Sequence, residues 1–563
     1  MKRFFCYILL FTATVAFSVE ASPLRERIYV TTDKQLYLAG EPVLMKFVTT
    51  DSNLIPLSFS RVAYVELVNE SESLIQMMVE LNNGIGVGQM MLPVDLPTGY
   101  YRLIAYTNFM RNEGPDVFFE KNIAVVNTFL SENNRILSGT NEPTASQIIA
   151  SDERGTVTLH TNAPVYSTRS TGVLTINGLP QNMHTLTVSI AGKDIIPVSH
   201  CGATLFRNNR MEQPIHFSGN YIPEYEGHII SGRVINNQTE ELVTNIAHNV
   251  APAIGFLGEG IRFFSGQTND AGDVRFFTSD ISGRSELTTV VFGVGERYRI
   301  DVQSPFVSQH INRSLPTFYI DSLYHNQLLD RSVALQVFRF FDNNPFDSQQ
   351  LSDPLVRFEP SRVFPLDEFT RFTTMREVFI EFIPGARFRR TSAGNQEMQI
   401  LTRRGSGLEF GNSTLVLLDG VPVIDHTAIF NYDPLLVETI NLYYGPMILG
   451  GTRFDGIIEF ITYDGQHQQL QLNRATQVVS YATPQKEGFF LAPDHSEERN
   501  RRSRVPDARH TLLWNTNIDT EGKETIEIPF FTSDLIGDFR VRVEGITTDG
   551  QFIESSLFFN VAE

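Results

Sequence analysis

Hydrophobic and polar residues alternate with a period of two along most of this chain, in short runs separated by Gly, Pro, Asn and Asp. Near the C-terminus, for example, Phe539, Val541 and Val543 alternate with charged side chains. Short alternating runs, interrupted by turn residues about every 8 to 12 positions, are typical of β-sandwich domains. The pattern therefore predicts a mainly β protein built from tandem β-sandwich domains.

Two segments break this alternation and predict helices. Residues 322–342 contain neither Gly nor Pro. Further on, apolar residues recur at helical spacing before a stop at Pro384-Gly385: Phe369, Phe372, Met375, Phe379 and Phe382. We interpret these aromatic side chains as core residues. They indicate that one α+β domain accompanies the sandwiches.

A continuous apolar run, residues 415–418, follows in the same region. A strand without alternation is expected to be covered on both faces. Asp419-Gly420 after it is a tight-turn pair, and Gly450-Gly451 marks a second turn where backbone must pass closely. The region is therefore predicted to hold a buried strand within the α+β domain.

The N-terminus resembles a cleavable export signal. Met1-Lys2-Arg3 is basic, residues 4–19 are largely apolar, and Val19-Glu20-Ala21 fits the small-x-small cleavage rule. The apolar run is short for a membrane anchor, which needs about 20 residues. Cys6 lies too early to end a lipoprotein box. We expect an exported protein, either free in the periplasm or attached to the outer membrane, that has no transmembrane helix.

Together these patterns divide the chain into seven segments. They are a signal peptide at 1–21, a first sandwich at 22–130, a second sandwich at 150–218, a third sandwich at 222–310, a helical lead-in and α+β domain at 318–465, a linker at 466–505, and a C-terminal sandwich at 506–563. The third sandwich resembles carboxypeptidase-regulatory-like domains and the C-terminal one resembles Ig-like domains, while the resemblances described below make the first macroglobulin-like and the α+β domain plug-like.

Composition and charge narrow the classes of partner. The 563 residues carry a formal net charge of -19, which argues against nucleic acid, because its backbone selects Lys and Arg. Once the signal leaves with Cys6, Cys201 is alone and an intramolecular disulfide is impossible. A large exported β protein without disulfides fits a bacterial envelope better than a eukaryotic secretion route.

The first sandwich resembles the second-domain type of the α2-macroglobulin family. The matching residues, in an opening pattern of strand, turn and strand, are Thr32, Asp33, Lys34, Tyr37, Gly40, Glu41, Val43 and Lys46. Residues 96–127 resemble the closing half of such domains in large envelope proteins of Bacteroidota. The family's reactive thioester joins the Cys and Gln of a CGEQ motif, whereas Cys201-Gly202-Ala203-Thr204 has no Gln. We expect no thioester trapping, and we interpret Cys201 as a core or edge residue.

Residues 367–463 are similar to the plug domain of TonB-dependent outer-membrane receptors. The elements that carry the resemblance are residues 383–385, 415–423, 433–440, 445–446 and 455–458. In that family a barrel follows the plug, and 22 strands of about 10 residues need more than about 200 residues. Only 98 residues follow Gly465. We therefore expect a plug-like interaction module rather than a transporter.

The sequence contains few residue patterns that indicate catalysis or metal binding. A cation loop at residues 270–273 is the weaker interpretation, because a calcium loop needs more ligands, and a hairpin turn is predicted instead. The sequence contains no HExxH, P-loop, GxSxG or Cys/His zinc spacing, and its histidines, His426, His467, His495 and His510 among them, are scattered. We predict a non-enzyme without catalytic residues, metal ligands or cofactor.

Three functions stay open from the sequence. The leading hypothesis is a non-catalytic envelope protein of a Bacteroidota bacterium that docks its plug-like domain on an outer-membrane transport or secretion channel. The first alternative is a macroglobulin-like protease inhibitor that acts by steric binding. The second alternative is an adhesive or structural envelope protein. The predicted partner is an outer-membrane or periplasmic protein.

Overall fold

The computed structural model describes residues 24–70, 72–130, 136–137, 157–194, 217–244, 250–257, 261, 263–283, 286–308, 310–321, 324–341, 346–348, 358–404, 407–465 and 474–563. The predicted signal peptide, Cys201 and His467 lie outside these residues. The fold is mainly β with one α+β domain, which confirms the fold class that the alternation predicts. Within the described part of the chain, no helix combines the length and hydropathy needed to cross a membrane.

Eight strands form the first sandwich, residues 24–130. Its two sheets have the strand orders β1-β3-β6 and β2-β8-β7-β4-β5. The strands are β1 (Glu26–Thr32), β2 (Leu36–Leu38), β3 (Pro42–Asp51), β4 (Val62–Val68), β5 (Ser73–Glu80), β6 (Ile85–Met91), β7 (Gly99–Thr107) and β8 (Phe119–Val126), with 3-10 turns at Phe109–Asn112 and Pro115–Val117.

The middle of the chain continues in strands. They are β9 (Ile136–Leu137), β10 (Thr158–Thr161), β11 (Val165–Ser167), β12 (Thr171–Asn177), β13 (Met183–Gly192), β14 (Ile229–Asn236), β15 (Ala251–Phe256), β16 (Phe263–Thr268), β17 (Asp273–Phe277), β18 (Glu286–Phe292), β19 (Tyr298–Val302) and β20 (Ile320–Asp321). Strands β16 and β17 pair antiparallel, so residues 269–272 form the predicted hairpin turn.

The α-helices of the described structure begin after residue 320. The elements are α1 (His325–Phe340), β21 (Phe346–Ser348), β22 (Arg362–Pro365), α2 (Met375–Glu381), β23 (Ala386–Arg390), β24 (Gln396–Arg404), β25 (Gly407–Phe410), β26 (Thr414–Leu418), β27 (Val421–Pro422), α3 (Thr427–Phe430), β28 (Val437–Leu449) and β29 (Thr452–Thr462), with 3-10 turns at Leu366–Glu368 and Pro434–Leu436. The C-terminal part contributes β30 (Gln477–Ser480), β31 (Gly488–Phe490), α4 (Glu498–Arg501), β32 (Thr511–Asn515), β33 (Thr525–Phe531), β34 (Gly537–Thr547) and β35 (Phe552–Ala562).

The two segments predicted as the second sandwich (150–218) and the Ig-like domain (506–563) share both of their sheets. The strand orders are β10-β12-β33 and β11-β35-β34-β13-β32. Strand β13 lies between β32 and β34, so neither segment has a complete sheet alone. This corrects the predicted division: residues 157–194 and 507–563 form one domain, here called the split sandwich.

A curled seven-stranded sheet forms the third unit, the central domain. Its order is β19-β14-β17-β16-β15-β18-β30, and β18 contacts β19 across the curl. Strand β30 comes from residues 477–480, which the sequence analysis assigned to a linker. Strand β31 also pairs, with β21. The predicted linker at 466–505 is therefore partly built into the sheets, because its short apolar runs find partners that are distant in sequence.

The predicted lead-in helix exists but packs on a different domain from the one expected. In α1, Leu328 and Leu335 pack against Leu36 and Leu38 of the first sandwich. The second predicted helix is shorter than its apolar spacing indicated. It begins only after Thr374, whose side chain accepts a hydrogen bond from the Glu377 N–H as an N-cap. Both differences arise because tertiary contacts, not periodicity alone, fix helix bounds and neighbours.

Candidate interaction site

The α+β domain, residues 358–465, is built around the strand whose apolar run the sequence singled out. On one face of β26, Val416 and Leu418 join a core with α2. On the other face, Leu415 and Leu417 pack against the central domain, including Phe292. The run is therefore buried on both faces, as predicted, and it joins the α+β domain to the central domain.

Asp419 and Gly420 form the tight turn between β26 and β27. Both have positive φ, 49° and 83°, as a two-residue hairpin turn of this kind requires. The Asp419 carboxylate also accepts hydrogen bonds from the Thr462 backbone N–H (2.8 Å) and hydroxyl (2.7 Å) at the end of β29. The Asp-Gly pair thus both turns the chain and ties two strands together.

The second turn, Gly450-Gly451, is the contact point with the central domain. Both glycines have positive φ, 53° and 75°. A Cβ placed on Gly450 would lie 2.6 Å from the Ala253 Cβ and 3.2 Å from the Phe292 ring. Only glycine allows this backbone conformation and this approach together. The close backbone passage predicted here is thus between two domains.

A three-stranded antiparallel sheet, β23-β24-β25, presents its outer face to solvent. Its inner face buries Ala386, Met398 and Ile400. The strand register places a mixed basic and apolar set on the outer face. We call this set the arginine face: Arg387, Arg389, Arg403, Leu408 and Phe410.

Within the described residues, the arginine face has one guanidinium stacked on an aromatic ring and no close ion pair. The Arg387 guanidinium lies 3.9 Å from the centre of the Phe410 ring, and its Nε donates a hydrogen bond to Gln399 (3.0 Å). Leu408 is 69% exposed. Among the described residues, no ion pair within 4.0 Å involves Arg387, Arg389 or Arg403, although Glu397 lies opposite Arg389 in the register. The arginines therefore remain available to an acidic partner.

The charge of this sheet is opposite to that of the chain. Residues 386–410 contain five arginines and two glutamates, a formal charge of +3, whereas the whole chain carries -19. Strands β23 and β25 are the two edges of the sheet within the described structure. An edge strand offers backbone N–H and C=O groups to an added strand. The site can thus recognise a partner by backbone pairing and by charge.

His426 supports the same sheet from below. Its Nδ1 accepts a hydrogen bond from the Met398 backbone N–H at 2.9 Å. Burial lowers the pKa of His426 to about 4. The neutral imidazole is therefore the form that holds β24 through this hydrogen bond.

The motif residues of the first sandwich lie at its junction with the split sandwich. One Asp33 carboxylate oxygen accepts hydrogen bonds from the Tyr37 hydroxyl (2.8 Å) and the Leu44 N–H (3.1 Å). The other oxygen accepts one from the Thr511 hydroxyl (2.8 Å), and the Ser189 hydroxyl donates to the Asp33 carbonyl (2.7 Å). Asp33 thereby connects the two domains.

Next to this junction, Glu41 connects the first sandwich to helix α1. Arg331 donates to both of its carboxylate oxygens, at 3.1 and 2.8 Å, and Lys34 Nζ lies 3.1 Å away. Burial alone would raise the pKa of this carboxyl, but the two cations hold it well below its usual range. The motif is therefore explained by the domain junction in which it lies.

Lys46 is the last motif residue and lacks such an ion pair within the described residues. Its Nζ donates to the backbone carbonyls of Leu186 (3.0 Å) and Thr516 (2.7 Å), both in the split sandwich. Burial lowers the pKa of Lys46 to about 7. A buried ammonium held by neutral oxygens makes this contact sensitive to pH.

Sequence reasoning missed a buried polar cluster between the first sandwich and the central domain. Glu224 Oε1 lies 2.8 Å from His228 Nδ1 and accepts from the Tyr64 hydroxyl at 2.9 Å, while His228 Nε2 lies 2.6 Å from the Tyr481 hydroxyl. Burial raises the pKa of both tyrosines far above the usual range. His228 and Tyr481 are 253 positions apart, so no local signal relates them.

Of the histidines that the sequence singled out, His495 and His510 also contact polar groups or backbone. His495 Nε2 lies 2.8 Å from Asp507, whose carboxylate accepts from the Arg509 guanidinium at two positions. His510 is buried close to Gly192, where a Cβ would lie 2.4 Å from its Nε2. Within the described residues, no group of three or more His, Cys, Asp or Glu side chains is placed to hold a metal ion.

Comparison with known proteins gives distant neighbours. No protein-family profile matches the sequence, and no curated protein matches it. Solved structures similar to this chain include trypsin-activated α2-macroglobulin from Escherichia coli (10% identity, TM-score 0.23, covering 96% of this chain and 42% of that one). Salmonella α2-macroglobulin reacted with methylamine is another (11% identity, TM-score 0.23, 95% and 39%). The chain thus spans less than half the length of these neighbours, and a TM-score of 0.23 supports no functional inference.

Proposed function

We propose that this chain is a non-catalytic, exported envelope protein that binds another envelope component through the arginine face of its α+β domain. The observation that carries the proposal is the arginine face, whose three arginines make no ion pair within 4.0 Å among the described residues, in a segment (386–410) of formal charge +3 on a chain of charge -19. Complementary charge speeds association and excludes wrong partners more than it adds affinity. The partner would therefore present an acidic surface or an acidic extended segment.

The identity of the partner rests on the motif resemblance of residues 367–463 to receptor plugs. A plug-like module of this kind would dock on the periplasmic side of an outer-membrane channel in a Bacteroidota bacterium. The two-sided burial of β26 supports a rigid attachment, because Leu415 and Leu417 are fixed to the central domain. A rigidly held face loses less conformational entropy on binding than a mobile one.

The test is affinity capture from detergent-extracted envelopes of the source bacterium with the tagged chain. We expect a barrel protein to be captured, and Arg387→Glu with Arg389→Glu to reduce that capture by about tenfold or more. The matched control is Arg499→Glu with Arg502→Glu, which makes the same charge change on exposed residues of another domain. If both double variants capture the barrel protein equally well, the arginine face is not the binding site.

A macroglobulin-like steric protease inhibitor is the second candidate function. The observation that favours it is the resemblance of the opening pattern of the first sandwich, Thr32 to Lys46, to a domain type of the α2-macroglobulin family. Incubation with a panel of endoproteases tests this candidate. It predicts slower cleavage of a large protein substrate and unchanged cleavage of a small peptide substrate, and unchanged cleavage of both would dismiss it.

A further inference from the structure

A second basic site lies in the cleft where the first sandwich meets the central domain, away from the arginine face. The cleft has a volume of about 310 Å³, a size in the range of small-molecule pockets. Its walls are Asn108 and Arg111 of the first sandwich, Tyr221 of the connecting segment, and Arg275 of the central domain. The walls of the cleft thus come from three parts of the chain.

Arg111 is held firmly on one wall. Its Nη1 donates to the Pro305 carbonyl (3.1 Å) and to Asn108 Oδ1 (3.2 Å), and its guanidinium lies 4.2 Å from the centre of the Tyr221 ring. Among the described residues its Nε is buried without a hydrogen-bond partner. None of these contacts is with a carboxylate, so the charge of Arg111 is not compensated by an ion pair there.

Arg275 faces the cleft from strand β17 with few contacts. Its one hydrogen bond to a described residue is to the Asn220 carbonyl, at 3.3 Å. The strand register places Ser231 beside it on β14. Arg233, the third arginine of the cleft, is paired with Asp273 at 3.2 Å and lies opposite Asp301 in the register. The cleft therefore presents two guanidinium groups, of Arg111 and Arg275, without carboxylate partners in the described structure.

The rest of the lining combines neutral polar side chains with the apolar residues Ile222, Ile229, Val274 and Pro305, and its carboxylate, Asp273, is the partner of Arg233. Asn220, Gln303 and Ser304 offer amide and hydroxyl groups, which can both donate and accept hydrogen bonds. A guanidinium binds a carboxylate or phosphate through two parallel hydrogen bonds. Amides and hydroxyls are suited to the hydroxyl groups of a sugar. The wall is fixed in place, since Asn112 bonds both the N–H and the carbonyl of Tyr221 (2.9 and 2.7 Å).

We propose that this cleft binds a small oxyanion on a hydroxyl-rich body, that is, a sugar carrying a phosphate or a carboxylate. Arg111 and Arg275 would bind the oxyanion, and the neutral lining would bind the hydroxyl groups. The proposal does not depend on the arginine face or on any barrel partner, so either site can fail its test without affecting the other.

Isothermal titration of the purified chain at low ionic strength tests the proposal with four probes: glucose 6-phosphate, glucuronate, inorganic phosphate and glucose. We expect glucose 6-phosphate or glucuronate to bind with a Kd below about 1 mM, and at least about tenfold more tightly than glucose or inorganic phosphate. The comparison of the first two probes identifies which oxyanion is preferred. The absence of binding by both charged sugars at about 10 mM would overturn the proposal.

Variants assign the binding to this cleft. Arg275→Gln is expected to weaken the binding of the charged sugar by about tenfold or more. Arg275→Lys should weaken binding by less, because lysine keeps the charge but lacks the planar guanidinium fork. The control is Arg299→Gln on strand β19 of the same sheet, whose guanidinium pairs with Glu240 (2.7 Å). Thermal unfolding of each variant checks that it is folded. Equal affinities in folded Arg275→Gln and Arg299→Gln would place the ligand elsewhere and overturn the assignment.

Discussion

Arg331 on helix α1 donates two hydrogen bonds, of 3.1 and 2.8 Å, to the carboxylate of Glu41 in the first sandwich. The two residues are 290 positions apart in the sequence. Both side chains are buried, with exposures of 9% and 5%. A buried charge that loses its partner is costly, because neither water nor a counter-ion replaces the contact. This pair therefore fixes α1 to the sandwich.

Replacing Arg331 by Ala is expected to lower the free energy of unfolding of the first sandwich by about 3 kcal/mol, since among the described residues Glu41 then keeps Lys34 as its ion-pair partner. Urea unfolding followed by tyrosine fluorescence measures the change. The matched control is Arg313→Ala, which removes an arginine paired with Glu120 (2.8 Å) that is 48% exposed. Its effect should stay below about 1 kcal/mol, and equal effects would contradict the importance assigned to the buried pair.

The α+β domain is expected to lose stability in acid through His426. Its pKa in the folded chain, about 4, lies below the ordinary value of 6.5. Between these two values the unfolded chain binds a proton that the folded chain does not. The free energy of unfolding therefore falls as the pH drops from 6.5 to 4, by about 2–3 kcal/mol from this residue.

Denaturant unfolding of the α+β domain at pH 7 and pH 4.5 measures this loss. His426→Asn is the comparison, because its Oδ1 can accept the Met398 N–H bond and cannot be protonated in this range. The variant should lose less stability than the native chain between the two pH values. An identical loss in both proteins would show that other groups cause the acid sensitivity.

At the junction of the first and split sandwiches, Lys46 is expected to make stability depend on pH in the alkaline range. Burial lowers its pKa to about 7 from an ordinary 10.5, so the unfolded chain holds the proton between these values and the folded chain does not. The free energy of unfolding should rise with pH through this window, by up to about 1.4 kcal/mol per pH unit.

Thermal unfolding at pH 7 and pH 9 in Lys46→Met tests this, with Lys193→Met as the control because Lys193 is 55% exposed. The gain in stability with pH should shrink in Lys46→Met and persist in Lys193→Met. A gain that persists unchanged in Lys46→Met would assign it to other buried cations, such as Lys121, whose pKa burial lowers to about 8.

Gly450→Ala is expected to separate the α+β domain from the central domain. The new Cβ would lie 2.6 Å from the Ala253 Cβ at a backbone φ of 53°, so overlap adds to conformational strain. We expect the free energy of unfolding to fall by about 2 kcal/mol or more. Gly465→Ala is the control, because it has a similar φ of 64° and nothing within 4 Å of the new Cβ.

Limited proteolysis with densitometry compares the two alanine variants. Gly450→Ala should release a fragment containing the α+β domain earlier than the native chain does, and Gly465→Ala should show only the strain cost of about 1 kcal/mol. If the two variants are cleaved at the same rate, the turn at Gly450 does not hold the domains together.

Local features of the chain were available from the sequence. Alternation placed Val541 and Val543 on the inner face of a strand, and both are fully buried. The apolar run at 415–418 indicated a strand covered on both sides, and the two glycine turns lie where their residues predicted. These features need only short-range information, because side-chain period and turn conformation are properties of a few consecutive residues.

Only the tertiary structure decided which strands pair. Strand β13 lies between β32 and β34, more than 300 positions later, and residues 477–480 complete the sheet of the central domain. An alternating run specifies an inward face but not its hydrogen-bonded neighbour, which is chosen by packing of the whole chain. The arginine face and the cleft of Arg111 and Arg275 arise in the same way, because strand register and domain contact, not sequence spacing, bring their cations together.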